Sequence, residues 1–270
     1  MSEHIHHYTS DDLSLTQAHS YTLLLQVDEN RFSYAVIDGK QLLDWAENHP
    51  VDELRDPKQL RDILTANYKQ VVTGLHGTGF TLLPSSLFDT ERVADAARLL
   101  DVSDDEEVSA EVLDNQNIIV YKINEALTRA TKDLDNQKTV YSNAGWIKAI
   151  ADARPADADI YLDMGNGMVS ILNFKDTRLR FYNTFKFNNH EELAYFCALV
   201  CSELAIKPED ARLIISGDIN DTDGYFTYLQ GFFGEVTLNA LQVLNLPQNI
   251  PSHKILALAA LSLCALSEEN

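Results

Sequence analysis

The sequence predicts an α/β protein made of two similar halves, each with a mixed β-sheet flanked by helices. A strand-turn-strand pattern occurs twice, with Asp28 and Asp163 lying 135 positions apart in a chain of 270 residues. In each half the pattern is followed by a third strand and then by helical spacing. A repeat at half the chain length is typical of two similar domains.

Composition and charge limit the classes of partner. The chain is 45% hydrophobic and 23% charged, as is ordinary for a soluble globular protein, but its net charge is −20. Such a charge opposes contact with nucleic acids and anionic lipids, and no cluster of lysine and arginine reverses it. We therefore expect no nucleic-acid partner.

The sequence also argues against membrane insertion and against secretion. No stretch reaches the roughly 18 apolar residues of a membrane span, and the polar N-terminus lacks the apolar core of a signal peptide. Cys197 and Cys201 lie four apart in an apolar run, where buried structural thiols are favoured over a metal pair because no nearby ligand set is complete. With Cys264 the count is odd, which suits a reducing compartment. We expect a cytoplasmic protein.

The first half predicts a polar tail over residues 1–20 and a first domain over residues 21–155. We interpret the histidines of the tail (His4, His6 and His7) as solvated rather than metal-binding. The segment from Asp101 to Glu111 carries six acids and is predicted to be a solvated connection. The other predicted elements are a hairpin to Ile37, a strand from Gln41 to Trp45, a helix from Pro57, an extended run from Val71 to Leu83, a helix capped by Asp89 or Thr90, a strand from Asn117 to Tyr121, a strand or helix from Glu125 to Leu134, and a helix from Tyr141 to Ala153.

The second half, residues 156–270, predicts a second domain with the same order of elements. Pro155 marks the boundary. The elements are a hairpin from Asp159 to Leu172, a strand from Leu179 to Phe187, a helix from Asn189 to Ala205, a strand from Ala211 to Ser216, a further helix and strand, and an apolar terminal helix after Pro251. The aromatic residues Phe226, Tyr228, Phe232 and Phe233 suit either a core or an exposed patch for a partner, and the sequence does not separate these two.

This order of elements resembles the actin-like ATPase fold, with ribonuclease H-like domains, of the superfamily of actin, sugar kinases and Hsp70. It is similar to bacterial members that act in cell division, pilus assembly and type II secretion. More narrowly, it is similar to an uncharacterised Bacteroidetes family with this fold and no known activity. The resemblance covers nearly the whole chain from Tyr21 and implies that ATP and Mg²⁺ would be bound through three signatures.

The first signature, a phosphate hairpin Asp-x-Gly-x-x, matches Asp28-Glu29-Asn30-Arg31. The aspartate is present, but Asn30 replaces the glycine and its side chain limits how closely the backbone can approach a phosphate. Glu29 adds a carboxylate where the anion would lie, although Arg31 could offset that charge. We interpret this hairpin as degenerate.

The other two signatures match unequally. Asp163-Met164-Gly165-Asn166-Gly167 has the aspartate and two glycines of a second phosphate hairpin, but Asn-Gly alone also predicts a plain tight turn. The adenosine signature, a strand that ends in two glycines, retains Gly217 only, preceded by Ser216.

These residues predict a non-enzymatic protein with an actin-like fold, which acts as a scaffold or regulatory partner of an unidentified protein. No cofactor is expected, and no residue is assigned a catalytic or metal-binding role. The alternative is a weak ATP-Mg²⁺-binding protein or ATPase. In that case Asp28 and Asp163 would hold Mg²⁺-bound water and Gly165, Gly167 and Gly217 would contact the nucleotide.

Overall fold

The computed structural model describes residues 7–89, 93–132 and 134–265 as a mixed α/β fold with three sheets. His4, His6 and Thr90 lie outside the described residues. The elements to residue 152 are β1 (His7–Thr9), β2 (Thr22–Val27), β3 (Arg31–Asp38), β4 (Gln41–Pro50), α1 (Asp52–Arg55), α2 (Arg61–Leu64), β5 (Gln70–Leu75), β6 (Gly79–Pro84), α3 (Val93–Ala97), β7 (Glu106–Val112), β8 (Asn117–Asn124), α4 (Glu125–Thr131), β9 (Gln137–Tyr141) and α5 (Ala144–Asp152). The later elements are β10 (Asp159–Gly165), β11 (Met168–Lys175), β12 (Arg178–Lys186), α6 (His190–Glu203), β13 (Arg212–Gly217), α7 (Gly224–Gln230), β14 (Glu235–Leu238) and α8 (Ser252–Ala260).

The predicted solvated tail differs from the structure, because residues 7–9 add strand β1 to the edge of the first sheet. A buried carboxylate explains this pairing. Asp44 on β4 is buried, and it accepts hydrogen bonds from Thr9 Oγ1 at 2.6 Å and from the Tyr34 hydroxyl at 2.8 Å. A buried charge needs such donors, so the first described residues are drawn onto the sheet.

The two large sheets share an order of five strands, and the first sheet has the additional edge strand β1. The first sheet is β1-β4-β3-β2-β5-β9 and the second is β12-β11-β10-β13-β14. In both, an antiparallel three-stranded meander continues into two parallel strands, β5 and β9 or β13 and β14. The two hairpins that the sequence singles out therefore belong to separate sheets that share this five-strand arrangement, and the predicted α/β class with mixed sheets is confirmed.

The third sheet, β6-β8-β7, includes residues that the sequence predicted to be a solvated connection. That prediction is wrong for Glu106–Val112. Val108 and Ala110 alternate with polar residues, and they pack with Ile118 and Val120 of β8. Period-2 alternation outweighs the acidic composition once a neighbouring strand is available to pair with it.

Local hydrogen bonds to side chains also determine the conformation of two segments for which the sequence predicted or allowed a helix. The helix expected from Pro57 is only the single turn α2, because the Glu53 carboxylate accepts hydrogen bonds from three consecutive backbone N–H groups after Pro57. The ambiguous segment after Asn124 is the helix α4, since the Asn124 side chain accepts from the Ala126 N–H at 2.8 Å.

The chain divides into two compact units, one ending at Lys148 but joined by the segment from Leu258, and the other running from Ala149 to Ala257. The sequence placed the division near residue 155 and assigned the whole terminal helix to the second domain. The terminal segment belongs to the first unit because Leu261 is fully buried and lies against Gly74 of β5. Across the described residues, no helix has the length and apolar character to cross a bilayer.

Candidate functional site

The candidate residues lie at the carboxyl ends of parallel strands in each unit. In the first unit β2, β5 and β9 end at Val27, Leu75 and Tyr141, which are paired across the sheet. In the second unit Met164 of β10 pairs with Gly217 at the end of β13. This edge is where open α/β sheets bind ligands, so the topology places the predicted residues where a site would form.

In the first unit, the turn after β2 uses its own aspartate. Asp28 Oδ1 accepts hydrogen bonds from the backbone N–H of Asn30 at 3.2 Å and from that of Arg31 at 2.9 Å. These are the backbone donors that a phosphate hairpin would direct at an anion. Asn30 also has a negative φ, so this turn does not need the left-handed conformation that asparagine tolerates. The turn is therefore closed by its own carboxylate.

Charged and titratable groups of both signs surround this turn. Glu29 is exposed next to Asp28, and Arg31 Nη1 donates a hydrogen bond to the backbone carbonyl of Asn48 at 3.2 Å. His76, which follows β5, has a pKa lowered by burial, while the carboxylates of Asp28 and Glu29 act in the opposite direction. The segment His76-Gly77-Thr78 connects β5 to β6.

In the second unit, the hairpin between β10 and β11 has a two-residue turn. Gly165 pairs with Met168, which leaves Asn166 and Gly167 as the turn with φ values of 52° and 71°. Two central residues with positive φ form the type I′ turn that Asn-Gly favours. Gly167 is therefore required by the hairpin itself.

Gly165, unlike Gly167, is not required by the conformation of the hairpin. Its φ is negative, and an added Cβ would contact nothing within 4 Å. An exposed strand position with open space tolerates any residue, so the fold alone does not account for a glycine here.

The Asp163 carboxylate lies half-buried two residues before Gly165. Among the described residues it makes no hydrogen bond or ion pair, and burial raises its pKa to about 6. A half-buried carboxylate without a partner is uncommon, because no hydrogen bond or ion pair compensates the ionised group for its lost solvation. In the second unit the structure brings Asp163, Gly165 and Gly217 to one sheet edge.

Gly217 is explained by packing between strands. Its φ is +93°, and an added Cβ would lie 2.0 Å from the Met164 carbonyl oxygen on β10. The following N–H, of Asp218, donates to the same oxygen at 2.7 Å. The adenosine role that the resemblance implies for Gly217 is therefore not needed to explain the glycine.

Polar residues that sequence reasoning missed also lie at these edges. Ser142 and Asn143 follow β9 and are buried, and Asn239 follows β14 and is buried. The Asn239 side chain donates to Ser216 Oγ at 3.1 Å and accepts from the Leu241 N–H at 3.0 Å. The sequence analysis predicted no strand directly before Ser142, so no strand-end signal was available there.

Other candidate chemistry is explained by the core. Burial raises the pKa of both Cys197 and Cys201, the latter to about 11, as expected for structural thiols. In the part of the chain that the structure describes, no three His, Cys, Asp or Glu side chains form a metal-binding group. Phe226 and Phe233 are core residues, whereas Phe232 is exposed, so the aromatic segment contributes to the core and to the surface.

Solved structures place the chain in a class of proteins with the actin-like ATPase fold. A Bacteroides thetaiotaomicron VPI-5482 protein with this fold and unknown function has a TM-score of 0.78 at 18% identity, with 94% of this chain and 99% of that chain covered. The PilM–PilN type IV pilus biogenesis complex gives a TM-score of 0.65 at 11% identity, covering 90% of this chain and 98% of that one. Comparison with curated protein sequences finds no match.

The chain belongs to the family described as "Protein of unknown function (DUF3822)", whose pattern matches residues 10–236. The resemblance to an uncharacterised family with the actin-like fold is confirmed.

Proposed function

We propose that this chain is a non-enzymatic protein with an actin-like ATPase fold that acts as a scaffold or regulatory partner. The observation that carries the proposal is the turn after β2, where Asp28 accepts hydrogen bonds from the N–H groups of Asn30 and Arg31. A phosphate would have to displace this carboxylate and approach Glu29, and both steps are electrostatically unfavourable. PilM, which shares the fold, was solved in a complex with PilN, and this supports a partner role for the present chain.

Isothermal titration with ATP-Mg²⁺ tests the proposal. We expect no saturable heat and no nucleotide retained after purification. Asp163→Ala serves as the matched control, because the resemblance assigns Asp163 to the Mg²⁺-bound water. A micromolar dissociation constant in the parent that is lost in Asp163→Ala would contradict the proposal.

A second candidate function, weak ATP-Mg²⁺ binding, is favoured by one observation in the second unit. Asp163 has no partner among the described residues, and the adjacent Gly165 is not required by the fold. A ligand would explain both features. Thermal melts of the parent and of Gly165→Ala, with and without ATP-Mg²⁺, distinguish the two functions. A nucleotide-induced rise in the melting temperature of the parent, absent in Gly165→Ala, would support this second function.

A further inference from the structure

The second unit carries an exposed aromatic groove that is separate from the hairpin of β10 and β11. Helix α6 forms one wall of the groove, and the segment from α7 towards β14 forms the other, enclosing about 420 Å³. Tyr195 and Phe232 line it with 61% and 54% of their surface exposed. Exposed apolar surface rimmed by polar residues is typical of an interaction site.

The face of α6 that lines the groove suits the approach of another helix. Glu191, Ala194, Tyr195 and Ala198 lie at helical spacing on one side of α6. The two alanines keep this surface low between the larger side chains, so an incoming helix can pack closely against it. In helix-in-groove recognition, an amphipathic helix lays its apolar face into a hydrophobic groove of this kind.

The aromatic rings of the opposite wall are held by their neighbours. Tyr228 and Phe232 pack with ring centroids 5.0 Å apart, and Tyr228 also contacts the His190 ring at 5.2 Å. Phe233 beside them is buried in the core of the unit. Rings that are already positioned lose little conformational entropy when a partner binds.

The groove is acidic. Helix α6 contains Glu191, Glu192 and Glu203 and neither lysine nor arginine. Glu191 lines the groove. Pro208, another lining residue, is preceded by the exposed Lys207 and followed by the exposed Glu209 and Asp210, so the net charge of this rim is negative. Cationic side chains on a partner would therefore be attracted to this surface, and anionic ones repelled.

We propose that this groove binds an amphipathic, basic helix of a protein partner. Large apolar side chains of that helix pack against Tyr195 and Phe232, and its lysines or arginines lie opposite the carboxylates of the rim. The proposal rests on the partner role proposed above and deepens it, because it assigns the docking surface and the chemistry of the partner.

Fluorescence anisotropy with a labelled amphipathic Leu-Lys peptide of about 18 residues, or five helical turns, tests this inference. We expect the peptide to bind the parent and to bind the double variant Tyr195→Ser/Phe232→Ser about tenfold more weakly. The matched control is Leu87→Ser/Leu99→Ser, which removes side chains that are 77% and 66% exposed elsewhere and should leave binding unchanged. A Leu-Glu peptide of the same pattern should bind weakly to all three proteins.

Several results would overturn the inference. They are absence of binding to the parent, equal binding to the groove variant, equal binding of the Leu-Glu peptide, or a self-association of the parent that the groove variant abolishes. The last result would identify a second copy as the occupant. Circular dichroism melts of the groove variant check that it is folded, which we expect because both side chains are exposed. If the peptide does not bind, the result of the ATP-Mg²⁺ titration is unaffected. Failure of this inference is therefore distinguishable from failure of the proposed function.

Discussion

At the scale of single residues, Gly217 and Gly165 form a matched pair. The Gly217 backbone has φ of +93° and leaves no space for a Cβ beside the Met164 carbonyl, whereas Gly165 has a negative φ and open surroundings. We expect Gly217→Ala to lower the free energy of unfolding by about 3 kcal/mol, since strained backbone and a clash combine. Gly165→Ala should leave stability unchanged or raise it by about 0.5 kcal/mol, because alanine reduces the entropy of the unfolded chain. Urea unfolding of both variants measures this, and equal losses would contradict it.

Asp163 provides a pH-dependent prediction at the same scale. Its pKa is raised to about 6, so the folded state keeps the proton to higher pH than the unfolded state, whose carboxyl titrates near 4. The contribution of Asp163 to stability is thus most favourable below pH 4 and is lost as the pH rises to 6. We expect Asp163→Asn to be stabilising relative to the parent at pH 7, by up to about 3 kcal/mol, and neutral at pH 4. Unfolding free energies at the two pH values check this, and a pH-independent difference would refute the role of ionisation.

At the scale of elements, the terminal segment after Leu258 completes the core of the first unit. Leu261 is fully buried against β5, and an added Cβ at Gly145 of α5 would lie 2.3 Å from the Ala260 carbonyl. These contacts place residues 260–261 against β5 and α5 of the first unit. The segment therefore acts as a covering layer for a sheet that lies far from it in the sequence.

Leu261→Ala tests this arrangement. We expect a loss of about 2–5 kcal/mol, because removing a fully buried leucine side chain leaves a cavity. Leu263→Ala, at a partly exposed position in the same segment, should cost less and serves as the control. Denaturant unfolding of the two variants decides the comparison. Equal, small losses would show that the segment contributes little to the core.

At the scale of the whole molecule, the net charge of −20 should weaken the folded state through self-repulsion. We expect the melting temperature to rise when about 0.3 M NaCl is added at pH 7, because salt screens the repulsion between surface carboxylates. The rise should be smaller near the sequence pI of about 4.6, where the net charge is low. Melting curves at both pH values, with and without salt, test this. A melting temperature that is independent of salt at pH 7 would mean that the carboxylates are compensated locally.

Local patterns in the sequence determined the α/β class, most strands and the turn at Asn166-Gly167. These patterns suffice because strand alternation and the φ preferences of Asn-Gly act between neighbouring residues. Local patterns were insufficient for Glu106–Val112. The acidic composition of this segment predicted a solvated connection, whereas its alternating residues form a strand that pairs with β8.

Only the tertiary structure shows which contacts the candidate site residues make. Asp28 accepts hydrogen bonds from the amides of its own turn. The Met164 carbonyl requires a glycine at Gly217, whereas no contact requires one at Gly165, and Phe232 faces outward. All of these relations depend on three-dimensional geometry. Such relations arise from backbone direction and from packing between distant segments. The sequence by itself determined which residues could form a phosphate site, and the folded chain decided which of them are already used by the fold.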